Sequence, residues 1–220
     1  MNDIPIRTLE LFCGENHSFS KVIQQTYPQA ECLSLDFNPK CEPTFCEDIL
    51  KWDYRQFPVG HFDLIWASPD CVNYSILQRC NIHRTAEQQE VGLVYSDGLC
   101  RRMFEIIQYF QPTHWFVENP QGLMKSRPFI QPYKHQLHTG DYCMYSDWGY
   151  RKRTNIWTNK EVTLHTCDGE CGNIFVGASG RNCHMSNIGF STSRRGERPD
   201  TTSQADRHRI PDKFIEALIS

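Results

Sequence analysis

Phe62-Asp63-Leu64-Ile65-Trp66-Ala67-Ser68-Pro69-Asp70-Cys71-Val72-Asn73-Tyr74-Ser75 is the stretch that decides the fold. Its apolar run reads as a strand. A rigid Ser-Pro turn ends the strand and presents one thiol, Cys71. In α/β proteins the strand ends carry the chemistry, because the sheet holds the backbone there while the loop reaches a ligand. A second apolar run, His114-Trp115-Phe116-Val117, stops at Glu118-Asn119-Pro120. A nucleophile and a carboxylic acid at neighbouring strand tips are the parts of a covalent mechanism.

Working outward, Thr8–Phe12 reads as a short strand, followed by a turn and a helical pattern over Phe19–Tyr27 that stops at Pro28. Glu31–Asp36 reads as a second strand, and Phe45–Leu50 marks the end of a third. Leu99, Met103, Ile106, Ile107 and Phe110 give helical spacing over Ser96–Phe110, ahead of Pro112. Thr154–Thr158 adds a last strand-like piece. Strands alternating with helices predict an α/β fold, a parallel sheet with helices on both faces. Residues 160–205 lose the apolar periodicity and become rich in Gly, Ser, Asn, Thr and Arg. The expected organisation is a domain over 1–159, completed by a helix within 206–220, and a small loop-rich insert over 160–205.

Composition sets the outer limits. The 220 residues are 39% hydrophobic, 12% aromatic and 22% charged, which is globular. No run approaches the ~20 apolar residues that span a bilayer, and the first residues lack a basic head with an apolar core. An intracellular, reducing compartment is expected, with no membrane partner. Eleven cysteines are then thiols or metal ligands rather than disulfides. Cys13, Cys32, Cys46, Cys100 and Cys143 lie in apolar or helical settings and read as packing residues. Residues 1–150 hold 12 Lys and Arg against 18 Asp and Glu, a balance of −6, whereas residues 151–220 hold 11 against 8, a balance of +3. A polyanion would be drawn to the C-terminal third.

The other strand ends suggest a nucleoside ligand. Gly14 lies in the first turn between strand and helix. Asp36, 22 residues on, ends the second strand, where a carboxylate can accept hydrogen bonds from ribose hydroxyls. Asp48 ends the third and can reach an adenine amino group. No Gly-x-Gly-x-x-Gly is present to hold a diphosphate. S-adenosylmethionine therefore fits this edge better than NAD.

Taken in order, Leu9-Glu10-Leu11-Phe12-Cys13-Gly14, Asp36, Asp48, Ser68-Pro69-Asp70-Cys71-Val72-Asn73-Tyr74-Ser75, Phe116-Val117-Glu118-Asn119-Pro120 and Arg151-Lys152-Arg153 resemble the motifs of the C5-cytosine DNA methyltransferases. Gly149–Asn159 is most similar to the short versions carried by phages and large DNA viruses. The resemblance covers residues 7 to about 159 and the tail near Arg207–Leu218. It implies a Rossmann-like methyltransferase sheet with Phe12, Gly14, Asp36, Asp48 and Pro69 around S-adenosylmethionine. It also implies that Cys71 adds to C6 of a cytosine flipped out of double-stranded DNA and that Glu118 protonates N3. Arg151 and Arg153 would hold the base. Where the family usually has Pro-Pro-Cys, this chain has Pro69-Asp70-Cys71. A carboxylate beside the thiol disfavours the thiolate unless it points away or is paired. The same residues are compatible with an inactive nucleic-acid-binding or regulatory relative, and with methylation of RNA cytosine.

The insert stands where the family places target recognition. Its Arg181, Arg194, Arg195 and Arg198 can contact phosphates. His165, Cys167, Cys171, Cys183 and His184 are metal-ligand types, and four of the five could close a zinc site in a segment with little core.

Overall fold

The computed structural model describes residues 5–76, 83–177, 180–186 and 208–220. Seven strands form one sheet: β1 (Arg7–Leu11), β2 (Glu31–Asp36), β3 (Phe45–Cys46), β4 (Leu64–Ala67), β5 (His114–Pro120), β6 (Leu137–Asp141) and β7 (Arg153–Thr158). Their order is β3-β2-β1-β4-β5-β7-β6. The β3-β2-β1-β4-β5 portion is parallel. Leu11 lies opposite both Leu35 and Ala67, and Ala67 lies opposite Val117, so these strands reach their C-terminal tips side by side. The chain steps from β1 to one side through β2 and β3, then returns to place β4 on the other. The sheet thus has a switch point between β1 and β4, where α/β sheets open a ligand crevice.

Helices cover both faces, as the alternating pattern predicts. On one face Phe19 of α1 (Ser18–Thr26) stacks on Trp66 with centroids 5.3 Å apart, and Trp66 meets Phe116 at 6.0 Å. Ile65 and Ala67, the neighbours of Trp66 in β4, belong instead to the large core that holds Met103, Ile107 and Phe110 of α2 (Ala86–Phe110). Successive strand residues face opposite ways, so one strand serves both layers. α2 begins ten residues before the start that apolar spacing gives. Thr85 and Gln88 form a reciprocal capping box, and the first turns carry the exposed Val91, Val94 and Tyr95. Third-strand pairing is confined to Phe45 and Cys46. Apolar spacing gave no sign of β6.

The chain forms two compact units, residues 1–137 with 155–161 and residues 138–154 with 162–220. The second unit contains a hairpin, β8 (Ile174–Val176) with β9 (Asn182–His184), and helix α3 (Asp212–Ile219). Phe214 of α3 packs on Tyr142 and Tyr145. No helix among the described residues is long and apolar enough to cross a membrane.

Glu10 explains how α1 starts. The residue before the helix, His17, has left-handed backbone and offers no side-chain cap. The buried Glu10 carboxylate substitutes from β1, accepting from the amides of Phe19 and Ser20 and from the Ser20 hydroxyl. Burial raises the Glu10 carboxyl, against those three hydrogen bonds. Glu10→Ala should destabilise the fold by about 1–3 kcal/mol, because buried donors at a helix start lose their acceptor. The urea midpoint of purified protein measures this; an unchanged midpoint would mean that water satisfies those amides.

Candidate functional site

The first unit presents Cys71 in the turn after β4, half-buried, and Glu118 on β5, 4% exposed. Two contacts join these strand ends. Asn119 Nδ2 donates to the Pro69 carbonyl at 2.9 Å. After β5 the Leu123 amide donates to the Tyr74 carbonyl at 2.8 Å, and the approach is so close that a Cβ on Gly122 would stand 2.4 Å from that oxygen. The Cys71 turn is also pinned to α2. Asn73 Nδ2 donates to Ser96 Oγ, and the Tyr74 hydroxyl donates to Asp97. Arg127 then grips Asp97 through Nε and a terminal nitrogen, at 3.0 and 2.9 Å. Asp70, whose charge the sequence sets beside the thiol, is exposed and accepts from the Val72 amide at 3.2 Å. Its carboxylate closes the turn that carries Cys71.

The opposite side of the switch point carries the predicted nucleoside edge. Phe12 (φ 58°) and Gly14 (φ 57°) both take left-handed backbone after β1, and the space a Gly14 Cβ would enter is open. The Gly14 amide donates to Asp36 Oδ2 at 3.1 Å, and the Asn38 amide donates to Oδ1 at 2.9 Å. Asp36 is thus oriented at the tip of β2, with acceptor capacity left on each oxygen. Phe37, the next residue, is 76% exposed. Asp48 is half-buried and accepts from the Leu50 amide, and Leu50 is itself exposed. Pro69 is buried below the Cys71 turn.

In the second unit Arg151 and Arg153 share one carboxylate. Asp141, fully buried, accepts from Arg153 Nε and its terminal nitrogen (3.1 and 2.8 Å), from Arg151 (3.0 Å) and from the Cys167 amide (2.7 Å). Burial alone would raise this carboxyl, but the hydrogen bonds from Arg153, Arg151 and Cys167 together hold it below the usual aspartate range. The arginines keep 37% and 33% of their side chains exposed.

The same unit gathers Cys143, Cys167, Cys171 and His184, whose ligand atoms all lie within 4.8 Å of one another. Three of the five predicted ligand types converge here and two do not. Cys183 and His184 are consecutive in β9, so their side chains project to opposite sides and only one can enter the group. His165 is exposed, and its amide donates to the Tyr145 hydroxyl. The fourth member is Cys143, which sequence reading took for a packing residue. It lies 24 positions before Cys167, amid Tyr142, Met144 and Tyr145, with no spacing motif to reveal it. Arg181 is exposed between β8 and β9, while Arg194, Arg195 and Arg198 lie outside the described residues. Sequence reasoning also missed Asp141, which carries no motif of its own.

No protein-family model matches the chain. It is 36% identical over 224 residues to a protein named "Probable DNA (cytosine-5)-methyltransferase" from Frog virus 3 (isolate Goorha), covering 97% of this chain and 99% of that protein. Among solved structures, a "putative DNA modification methyltransferase encoded within prophage" of E. coli matches with a TM-score of 0.48 at 10% identity, over 70% of this chain and 46% of its own. An antibiotic-related methyltransferase matches with a TM-score of 0.42 at 6% identity, over 70% of this chain and 87% of its own.

The lowered Asp141 carboxyl gives stability a pH signature. A carboxyl depressed in the fold contributes above its unfolded pKa of about 3.9, and the contribution is lost as pH falls through the folded value. Asp141→Asn should therefore cost about 1–3 kcal/mol at pH 7. The gap from the parent protein should narrow below about pH 4. Urea unfolding at pH 7 and in acid measures both; a gap that stayed constant with pH would assign the loss to packing.

Proposed function

The chain belongs to the DNA (cytosine-5)-methyltransferase family, and from that membership we propose that it methylates C5 of cytosine in DNA through a covalent adduct on Cys71, using S-adenosylmethionine. The observation that carries this reading is the Asn119–Pro69 hydrogen bond, which ties the turn of Cys71 to the strand end of Glu118.

The residues at the switch point suit the methyl donor. Asp36 has spare acceptors for two ribose hydroxyls, Phe37 offers an exposed ring for an adenine face, and the open space at Gly14 admits a ligand close to backbone. When bound, S-adenosylmethionine supplies an electrophilic methyl group. Everything else falls to the chain. Cytosine C5 is a poor nucleophile until a thiolate adds to C6. In this reading the Cys71 sulfur forms that bond while Glu118 delivers a proton to N3, so the ring accepts the addition without building negative charge. The electron density that reaches C5 is then spent on the new C5–methyl bond. Loss of the C5 proton to a base reforms the C5–C6 double bond, the Cys71 thiolate departs, and N3 returns its proton to Glu118.

Arg151 and Arg153 bind the target base, as the family's arginine motif does. Asp70 serves the turn that carries Cys71, its carboxylate accepting the Val72 amide. An ion held by Cys143, Cys167, Cys171 and His184 would have all four tetrahedral positions filled by protein, the pattern of a structural rather than a catalytic site.

A DNA oligonucleotide carrying 5-fluorocytosine should trap the protein, because fluorine at C5 cannot leave as a proton does. We expect a denaturant-resistant adduct that requires S-adenosylmethionine and disappears in Cys71→Ser with cofactor affinity retained. Absence of adduct across a mixed-sequence DNA pool would refute the mechanism, and adduct with RNA alone would move the substrate to RNA. Glu118→Gln should slow methyl transfer about 10²–10⁴-fold, the usual worth of a positioned general acid. A rate within a few-fold of the parent would remove Glu118 from that role.

A further inference from the structure

We propose that Cys143, Cys167, Cys171 and His184 bind one zinc ion, and that the ion holds the segment bearing Arg151 and Arg153 in place, which makes capture of the target base metal-dependent. Only the clause on base capture rests on the methyltransferase reading. The ion and its hold on the segment stand on the geometry of the second unit.

The ligand spacing fits a tetrahedral ion. Zinc–sulfur bonds of about 2.3 Å and zinc–nitrogen bonds of about 2.0–2.1 Å put sulfurs about 3.8 Å apart and sulfur about 3.6 Å from nitrogen. Cys167 Sγ and Cys171 Sγ lie 3.7 and 3.4 Å from His184 Nε2, and the whole set falls within 4.8 Å. All three thiols are buried and none is in a disulfide. An imidazole nitrogen aimed among three buried thiols is a poor way to fill an apolar gap and a good way to complete a coordination shell. Thiolate and imidazole donors select zinc over calcium or magnesium. Local backbone serves the same end. Gly169 takes φ 102° between Cys167 and Cys171, and its amide donates to Cys167 Sγ at 3.4 Å.

Each ligand on the metal-binding loop has a residue at or near it that holds the stretch leading to the arginines. Cys167 donates its own amide to Asp141, the carboxylate that clamps Arg151 and Arg153. Asn173, two residues after Cys171, donates to the carbonyls of Cys143 and Ser146 and accepts from the Gly149 amide. Ser186, two residues after His184, donates its amide to the Gly149 carbonyl at 2.7 Å. Asp141 is therefore a positioning residue, fixed on one side by the arginines and on the other by a metal ligand. Removing the ion would release three turns of chain at once, and with them the partners of Asp141 and Gly149.

The full-length protein can test both statements. Elemental analysis should find one zinc per chain, and replacement by cobalt(II) should give the intense visible bands of a tetrahedral thiolate site. Cys143→Ser should lose the metal, whereas Cys183→Ser and His165→Ala should keep it. If Cys143→Ser fails to fold, the cobalt spectrum and chelator titration of the parent protein still decide the site. Hydrogen exchange of peptides within 139–154 should quicken about tenfold when a chelator strips the ion and recover on adding zinc, as expected for local opening. Trapping of a 5-fluorocytosine oligonucleotide should fall in parallel, with S-adenosylmethionine affinity in the first unit unchanged. Absence of stoichiometric zinc together with a featureless cobalt spectrum would overturn the site. Metal that bound without altering exchange at 139–154 would overturn the coupling. A metal-loaded, protected protein that trapped no DNA would count against the methyltransferase reading alone.

Discussion

The hydrogen bond from Asn119 to the Pro69 carbonyl is the constraint that sets the turn of Cys71 against the strand of Glu118. Parallel pairing brings β4 and β5 to a common level, but pairing ends at Ala67 and Val117, before either chemical group. Beyond that point the turn of Cys71 leaves the last residues of β5, and side-chain and backbone ties take over from strand pairing. A bond of this kind is worth only about 1 kcal/mol net, so its importance is geometric. It fixes the turn of Cys71 relative to the strand that carries Glu118. The close seat of Gly122 on the Tyr74 carbonyl, and the buried Tyr74–Asp97–Arg127 chain, hold the same turn from two further directions. A thiol restrained this way would lose little entropy on meeting a substrate, as the proposed role of Cys71 requires.

The strand order gives that restraint its setting. Because the sheet reverses between β1 and β4, the glycine turn of β1 and the thiol turn of β4 flank the switch point, where α/β sheets commonly open a ligand crevice. Asp36 and the Cys71 turn are then separated by β1, which is the arrangement a donor and an acceptor of a methyl group need. Glu10 stabilises this region from below. Its carboxylate starts α1 from within β1, which frees His17 and the preceding turn from a capping duty.

The central sheet was legible in the sequence because its signals are local. Apolar runs ending in Pro69 or Pro120, and acids at the ends of β2 and near β3, can be read within a few residues. The start of α2 was not, because its first turns expose Val91, Val94 and Tyr95 and dilute the apolar stripe, although Thr85 and Gln88 do spell a capping box. Asp70 was legible as a charge but not as a turn acceptor, since its direction depends on the fold of the loop. Cys143 is the clearest case of non-local information. Its role depends on Asn173 reaching back to its carbonyl and on β9 presenting His184, both more than 25 residues away. Strand alternation allows only one of Cys183 and His184 into the group once the hairpin is known, and the way β9 faces the thiols makes it His184.

The second unit poses a stability problem that its residues answer in two ways. Tyr142, Tyr145 and Phe214 supply an aromatic nucleus, with Trp148 packed edge-on to Tyr142 and the Arg209 guanidinium 4.4 Å from the Trp148 ring. That nucleus lies beside β6 and α3, and its Tyr145 hydroxyl accepts the amide of His165 just ahead of the Cys167 turn. Among the described residues, Ile174 is the partly buried hydrophobic that packs against the thiols there. Turns with a small hydrophobic interior gain rigidity from a cross-link, and an ion held by the proposed ligands would provide one at a single point. The consequence would reach the arginines, because Asp141 takes a proton donor from the Cys167 turn as well as from both guanidinium groups. A buried carboxylate with three such partners tolerates the loss of any one poorly. The small cysteine-rich turn is thereby coupled to the residues that would meet DNA, and the arginine motif is only as ordered as the turn behind it.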